Sequence, residues 1–190
     1  VRSDDLSADL MNALIQRVGI PSNLVEDIQW GCVKQEKEQG YDIARMAAVI
    51  AGLPIEVGGV TVNRNCGSSL QAINQAAQSI AANCEDVQIA GGVEHMGHIP
   101  MEAGVRSKPR FFYRNSPATL NMGLTAENLA LRYKISRKEQ DEFALRSHQR
   151  AAQATDSGAF AREVIPTWGR DDEGRRKLFT EDQCIRRDTT

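Results

Sequence analysis

No run of apolar residues in this chain approaches the ~20 needed to cross a bilayer. The opening Val1-Arg2-Ser3-Asp4-Asp5 has no apolar core behind its charges, so no secretory signal is expected. The four cysteines, Cys32, Cys66, Cys84 and Cys184, contain no CxxC pair, and neither a zinc site nor a small disulfide scaffold is expected of them. A surplus of either charge sign is also missing. The formal net charge is -2 and the pI is near 6.0, which removes the general reason to expect binding to nucleic acid or an anionic membrane. Collagen-like repetition and low complexity are absent too. What remains, 41% hydrophobic and 25% charged residues over 190 positions, is ordinary globular usage, with a cytoplasmic, reducing compartment as the default.

Residues 1–96 alternate between helical and strand-like patterns. Ser3 can cap a helix with Leu6, Leu10, Ala13 and Leu14 on one face, ended by Gly19 before Pro21. Ile28 to Val33 reads as a strand, residues 42–51 as a helix closed by Gly52 and Pro54, and Val60-Thr61-Val62 as a β-branched strand. Residues 66–82 form a second long helix, whose inner face is expected to carry Leu70, Ile73, Ala77 and Ile80. Val87 to Ala90 is a further strand, stopped by Gly91-Gly92. Such alternation predicts an α/β layered sheet.

From Gly97 to Thr190 the texture is that of a loop-rich insertion. Prolines stand at 100, 109 and 117, amid a basic cluster of Arg106, Lys108, Arg110 and Arg114. Two capped helices are expected next. One has Thr125 as N-cap with a Leu124–Leu129 staple; the other opens at Ser136 and Glu139 with capping-box spacing and runs to about Ala154. Val164-Ile165-Pro166 reads as a short strand. The chain opens on a helix cap without Met and closes without a final element, so it is expected to be a piece of something longer.

Cys66 stands between the strand Val60-Thr61-Val62 and the helix that follows. A helix start carries unpaired N–H groups and roughly half a positive charge, which favour a thiolate over the free thiol of pKa ~8.5. The same donors suit the oxyanion formed when a thioester carbonyl is attacked. Gly67 leaves room for a substrate there. The competing reading is a buried small hydrophobe. Structural or incidental roles are expected of Cys32, inside a strand, Cys84, beside Glu85 and Asp86, and Cys184, in a charged tail.

The stretch Val62-Asn63-Arg64-Asn65-Cys66-Gly67-Ser68-Ser69-Leu70-Gln71-Ala72 resembles the active-site segment of thiolases. Gly91-Gly92-Val93-Glu94-His95-Met96, Met122-Gly123-Leu124-Thr125-Ala126-Glu127 and Ser136-Arg137-Lys138-Glu139-Gln140-Asp141 agree with that family in the same order, as does the ending Ile185 to Thr190. The likeness covers nearly the whole chain. It is greatest to bacterial degradative 3-ketoacyl-CoA thiolases, the β subunits of fatty-acid oxidation complexes, partly through Glu94-His95-Met96-Gly97-His98.

This resemblance implies a thiolase-like layered mixed sheet with helices over residues 1–96, its first strand lying before Val1, and a loop domain over 97–190. It implies that Cys66 is the acyl-accepting nucleophile, its backbone N–H serving as oxyanion donor, in cleavage of 3-ketoacyl-CoA by CoA. Met122 would line the acyl or pantetheine pocket and Arg186 would pack near the CoA adenine, against bland readings as a core methionine and a solvated arginine. Asn121 stands where many short-chain thiolases carry His. No metal or cofactor is implied; CoA is a co-substrate. A homodimer and docking to a hydratase/dehydrogenase α subunit are also implied. In the family the activating His lies in Gly-His-Pro, the second Cys in Cys-x-Gly and part of the oxyanion site in Asn-Glu, all in the second half of the chain. Here His95, His98 and His148 are followed by Met96, Ile99 and Gln149, and Cys184 by Ile185-Arg186, so this chain alone is expected to be inactive. His95 and His98 are expected to serve loop hydrogen bonding or packing, and His148 to lie on a solvated face. Two other readings stand beside this one: a ketosynthase-type condensing enzyme, and a thiolase-like scaffold subunit without catalysis.

Overall fold

Strand β1 (Asp27–Gly31) organises the first part of the molecule, because its side chains alternate between two different helical layers. The computed structural model describes residues 1–102, 104 and 109–190, which divide into two compact units, Val1–Ala103 and Gly104–Thr190. In the first unit β1 pairs in parallel with β2 (Val60–Val62) on one side and β3 (Gln88–Gly92) on the other, with Gly31 level with both Val62 and Gly92. Parallel neighbours of this kind need crossover connections, and helices supply them. On one face Ile28, Trp30 and Cys32 join Met11, Val25 and Ile89 and helix α2 (Ile43–Ile50) in the buried core. Helix α1 (Ser3–Val18) packs against α2 on that face. On the other, Gly31 and Gly92 meet helix α3 (Ser68–Ala81).

Two expected faces are turned. In α1 the buried residues are Ser3, Asp4, Ser7, Ala8 and Met11, while Leu10 and Leu14 are exposed. Polar partners decide this orientation: Ser7 Oγ donates to the Ser3 carbonyl and accepts from Trp30 Nε1 at 3.2 Å, and Ser3 Oγ donates to Gln39 Oε1 at 3.1 Å. Ser3 is therefore the first helical residue rather than the cap, which is Arg2. Gly19 ends α1 as expected, in the left-handed conformation at φ 75°. In α3 the buried residues are Ser68, Ala72 and Ala76, whereas Leu70 is 64% and Ile73 51% exposed. The apolar stripe exists, but small residues face the sheet because the glycines draw the helix too close for large ones. Gly91 and Gly92 also belong to β3 instead of stopping it; Gly91 lies under the Trp30 ring.

The second unit is thinner. It contains α4 (Pro109–Phe112), a 3₁₀ turn at Pro117–Leu120, α5 (Met122–Tyr133), α6 (Arg137–Asp156) and an antiparallel hairpin of β4 (Thr167–Arg170) and β5 (Arg176–Phe179). None of its described residues is fully buried. The Ser136–Glu139 capping box is present. The cap of α5 is Asn121, not Thr125: the Asn121 side chain accepts from Leu124 N–H at 3.0 Å, satisfying a first-turn donor. Val164-Ile165-Pro166 is not a strand; the hairpin starts at Thr167, after the proline that cannot donate to a ladder. Arg106 and Lys108 of the basic cluster lie outside the described residues. No described helix is long and apolar enough to cross a membrane.

The approach of α3 to β1 can be measured. A Cβ at position 31 would lie 2.6 Å from Ser69 N, a backbone atom that no rotamer change can move. Gly31→Ala should therefore destabilise the chain by about 1–3 kcal/mol, read as a lower midpoint in urea or thermal unfolding. An unchanged midpoint would mean that the helix rides further from the sheet.

Candidate active site

The carboxyl ends of three parallel strands deliver three loops to one edge of the first unit, the edge where open α/β sheets place their ligands. After β2 the chain turns through Asn63-Arg64-Asn65-Cys66-Gly67 into α3. Asn65 occupies the left-handed region at φ 49°, which Asn tolerates better than most residues. Gly67 N–H and Ser68 N–H donate to the Arg64 and Asn65 carbonyls, both at 3.1 Å. The buried Ser68 locks the turn from below: its Oγ donates to Asn65 O at 2.6 Å and accepts from Arg64 N–H at 2.9 Å. Cys66 therefore stands exposed on a braced turn, two residues ahead of the first residue of α3. The expected helix over 66–82 starts later, with Gly67 as its cap.

The neighbouring loops are tied to this turn. Asn63 Nδ2 donates to Val33 O at 3.2 Å, and Glu94, just past β3, accepts from Val33 N–H at 2.8 Å and Lys34 N–H at 3.2 Å. Gln39, fully buried, donates to Glu94 Oε1 at 2.9 Å and accepts from His95 N–H at 2.8 Å. His95 and His98 stack with centroids 3.8 Å apart. His98 Nδ1 lies 2.5 Å from Glu38 Oε1, and Lys37 Nζ donates to His98 O at 3.0 Å. The hydrogen bond from His98 holds the Glu38 carboxyl below its usual range. These histidines do make loop hydrogen bonds and pack on each other.

The other cysteines differ in setting. Cys32 is 1% exposed; burial, and next the Glu94 charge, push its thiol up to about 11. Cys84 and Cys184 are exposed but lie beyond the end of α3 and beyond β5. In the second unit, Met122 is the first residue of α5 and 73% exposed, so it is no core methionine within this chain. Arg186 borders a cleft of about 570 Å³ between α6 and the C-terminal segment, together with His148, Ala152, Gln153 and Arg187. His148 is half-buried there and its Nδ1 accepts from Arg186 N–H at 3.1 Å, so the C-terminal segment partly covers the face expected to be solvated. Arg187 pairs with Asp156 at 2.8 Å and closes the same segment onto α6.

The bracing role of Gln39 has no sequence signal. Those of Asn63, Ser68 and Glu94 sit inside stretches whose pattern was legible although their hydrogen bonds were not.

Residues 1–190 match the family model described as "Thiolase, N-terminal domain". A "3-ketoacyl-CoA thiolase" of Pectobacterium carotovorum is 50% identical over 191 aligned positions, covering 100% of this chain and 49% of the relative. One of Photorhabdus laumondii is 52% identical over 189, covering 99% and 49%. The chain thus spans about half the length of the curated relatives it matches. Among solved structures, that of the Bacillus anthracis acetyl-CoA acetyltransferase superposes with a TM-score of 0.81 at 32% identity, covering 100% of this chain and 51% of that one.

The raised Cys32 thiol has a pH consequence. In the unfolded chain it ionises near its ordinary ~8.5, whereas in the folded chain it stays neutral until about 11. The stability it contributes is full below about pH 8.5 and is lost as pH rises toward 11. The stability gap between wild type and Cys32→Ala should narrow across that interval in thermal unfolding, and a constant gap would refute the assignment.

Proposed function

This chain belongs to the thiolase family, and from that premise we propose that Cys66 is the acyl-accepting nucleophile of a 3-ketoacyl-CoA thiolase acting in fatty-acid β-oxidation. The observation that supports the reading is the setting of Cys66: an exposed thiol on a braced strand-to-helix turn, at the carboxyl edge of a parallel sheet. In the proposed reaction the Cys66 sulfur attacks the ketone carbonyl of a 3-ketoacyl-CoA. The bond between the α and β carbons breaks, and the electron pair leaves on the acetyl-CoA carbon, which takes up a proton. The shortened acyl group stays on sulfur as a thioester until the thiol of a second CoA removes it. Ping-pong kinetics follow from this order. The Cys66 backbone N–H serves as an oxyanion donor.

Met122 is proposed to line the acyl or pantetheine pocket and Arg186 to pack near the CoA adenine. The exposure of Met122 and the position of Arg186 on a cleft are compatible with those roles. The working protein is proposed to be a dimer that docks to a hydratase/dehydrogenase subunit in a reducing, cytoplasmic compartment. The base for Cys66 and the second cysteine come from a complementary half that carries Gly-His-Pro and Cys-x-Gly, so these 190 residues alone do not turn over.

The test has two arms. The purified 190-residue chain should leave acetoacetyl-CoA uncleaved in the presence of CoA. Joined to a thiolase second half and incubated with acetyl-CoA, it should gain one acetyl group on the Cys66 peptide by mass spectrometry, and Cys66→Ala should lower turnover by at least about 1,000-fold. Acetylation at Cys32 or Cys84 instead, or full turnover by Cys66→Ala, would end the proposal.

A further inference from the structure

An unbroken run of hydrogen bonds connects a carboxylate distant in sequence to the turn that carries Cys66. It starts at Glu94. Among the described residues, the partners of that carboxylate are N–H donors: Val33 N–H on Oε2 at 2.8 Å, and Lys34 N–H at 3.2 Å and Gln39 Nε2 at 2.9 Å on Oε1. The carbonyl of the same Val33 accepts from Asn63 Nδ2 at 3.2 Å. Asn63 Oδ1 in turn accepts from Asn65 N–H at 3.0 Å. Asn65 is the left-handed residue immediately before Cys66. Gln39 fixes the far end, since its own Oε1 accepts from Ser3 Oγ and His95 N–H and its amide cannot turn over without facing a donor with a donor.

A non-glycine residue in the left-handed region costs backbone energy that its surroundings offset, less for Asn than for most residues. Here the offset comes from Asn63 on one side and Ser68 on the other, and Asn63 is itself held by the loop that Glu94 clamps. We infer that Glu94 and Asn63 are positioning residues for the nucleophile, which act through Val33 and Asn65 to hold Cys66 at the start of α3. The importance of this for catalysis rests on the reading of Cys66 as the acyl acceptor; the mechanical coupling does not. The carboxylate is required in particular, because an amide at 94 would present N–H to at least one N–H donor.

The chain contains its own references. Wild type, Asn63→Ala, Glu94→Gln and the double variant are treated with limiting iodoacetamide, and alkylation at each cysteine is followed by peptide mass spectrometry. Cutting the run at either end should lower the ratio of the Cys66 rate to the Cys84 rate by about threefold, the scale of losing a helix-start interaction. The double variant should fall no further than Asn63→Ala, since both changes cut one path. Cys32 should stay unreactive throughout, whereas general loosening of the fold would expose it. If Glu94→Gln leaves the ratio at its wild-type value while Asn63→Ala lowers it, Glu94 is no part of the path and the inference fails. If Glu94→Gln loses its far-UV dichroism, Asn63→Ser decides. Its hydroxyl still accepts from Asn65 N–H but is too short to donate to Val33 O and adds no charge beside the thiol, so a lowered ratio supports the path and an unchanged one overturns it. Alkylation needs no acyl transfer, so a negative result here leaves the proposed reaction standing, and absence of acetyl-Cys66 leaves this coupling standing.

Discussion

The close seat of α3 on β1 and β3 governs the rest of the first unit. Two strand residues without side chains, Gly31 and Gly92, stand opposite the first turn of the helix, and the helix answers with Ser68, Ala72 and Ala76. Their combination fixes the level at which α3 begins relative to the ends of the strands. The turn that precedes the helix thereby comes to rest beside the other two loops at the same edge. Larger residues at either set of positions would lift the helix start away from the loops that hold its entrance.

On the opposite face the sheet is covered in the ordinary way, by branched and aromatic side chains against the alanines of α2 and Met11 of α1. The asymmetry has a chemical counterpart. Cys32, on the densely packed face, is shielded and held neutral, while Cys66, at the open edge, is accessible. Two thiols of one chain thus have opposite environments, because Cys32 follows β1 into the packed face whereas Cys66 stands on the turn between β2 and α3.

Much of the α/β half is legible in the sequence. The first helix and the strand at 60–62 follow from apolar and β-branched patterns bounded by glycine and proline; the helix expected over 42–51 is present as Ile43–Ile50, and the strand expected over 28–33 runs Asp27–Gly31, ending before Cys32. The orientation of α1 and α3 does not follow, because periodicity identifies a stripe without saying what covers it. In α1 the stripe loses to hydrogen bonds from Ser3 and Ser7, and in α3 to a steric limit set by glycines distant in sequence. The cap of α5 went to Asn121 instead of Thr125 because both are good caps and only the backbone path selects between them. The position of Cys66 ahead of a helix is readable from Val60-Thr61-Val62 and the helical run after it. The run from Glu94 to Asn65 is not, since all but its last hydrogen bond, the local one from Asn65 N–H to Asn63, join loops whose proximity exists only in the folded chain.

The two sides of α3 answer to different tests of a sequence. Its small side, pressed to the sheet, tolerates almost no added volume, so substitutions there are felt as loss of the fold itself. Its broad side, with Leu70, Ile73 and Ile80 open to water, contributes little to holding the first unit together, so substitutions there would register in solubility and self-association instead. One helix therefore divides its mutational sensitivity by face, and a scan along it would alternate between two kinds of phenotype with the helical period.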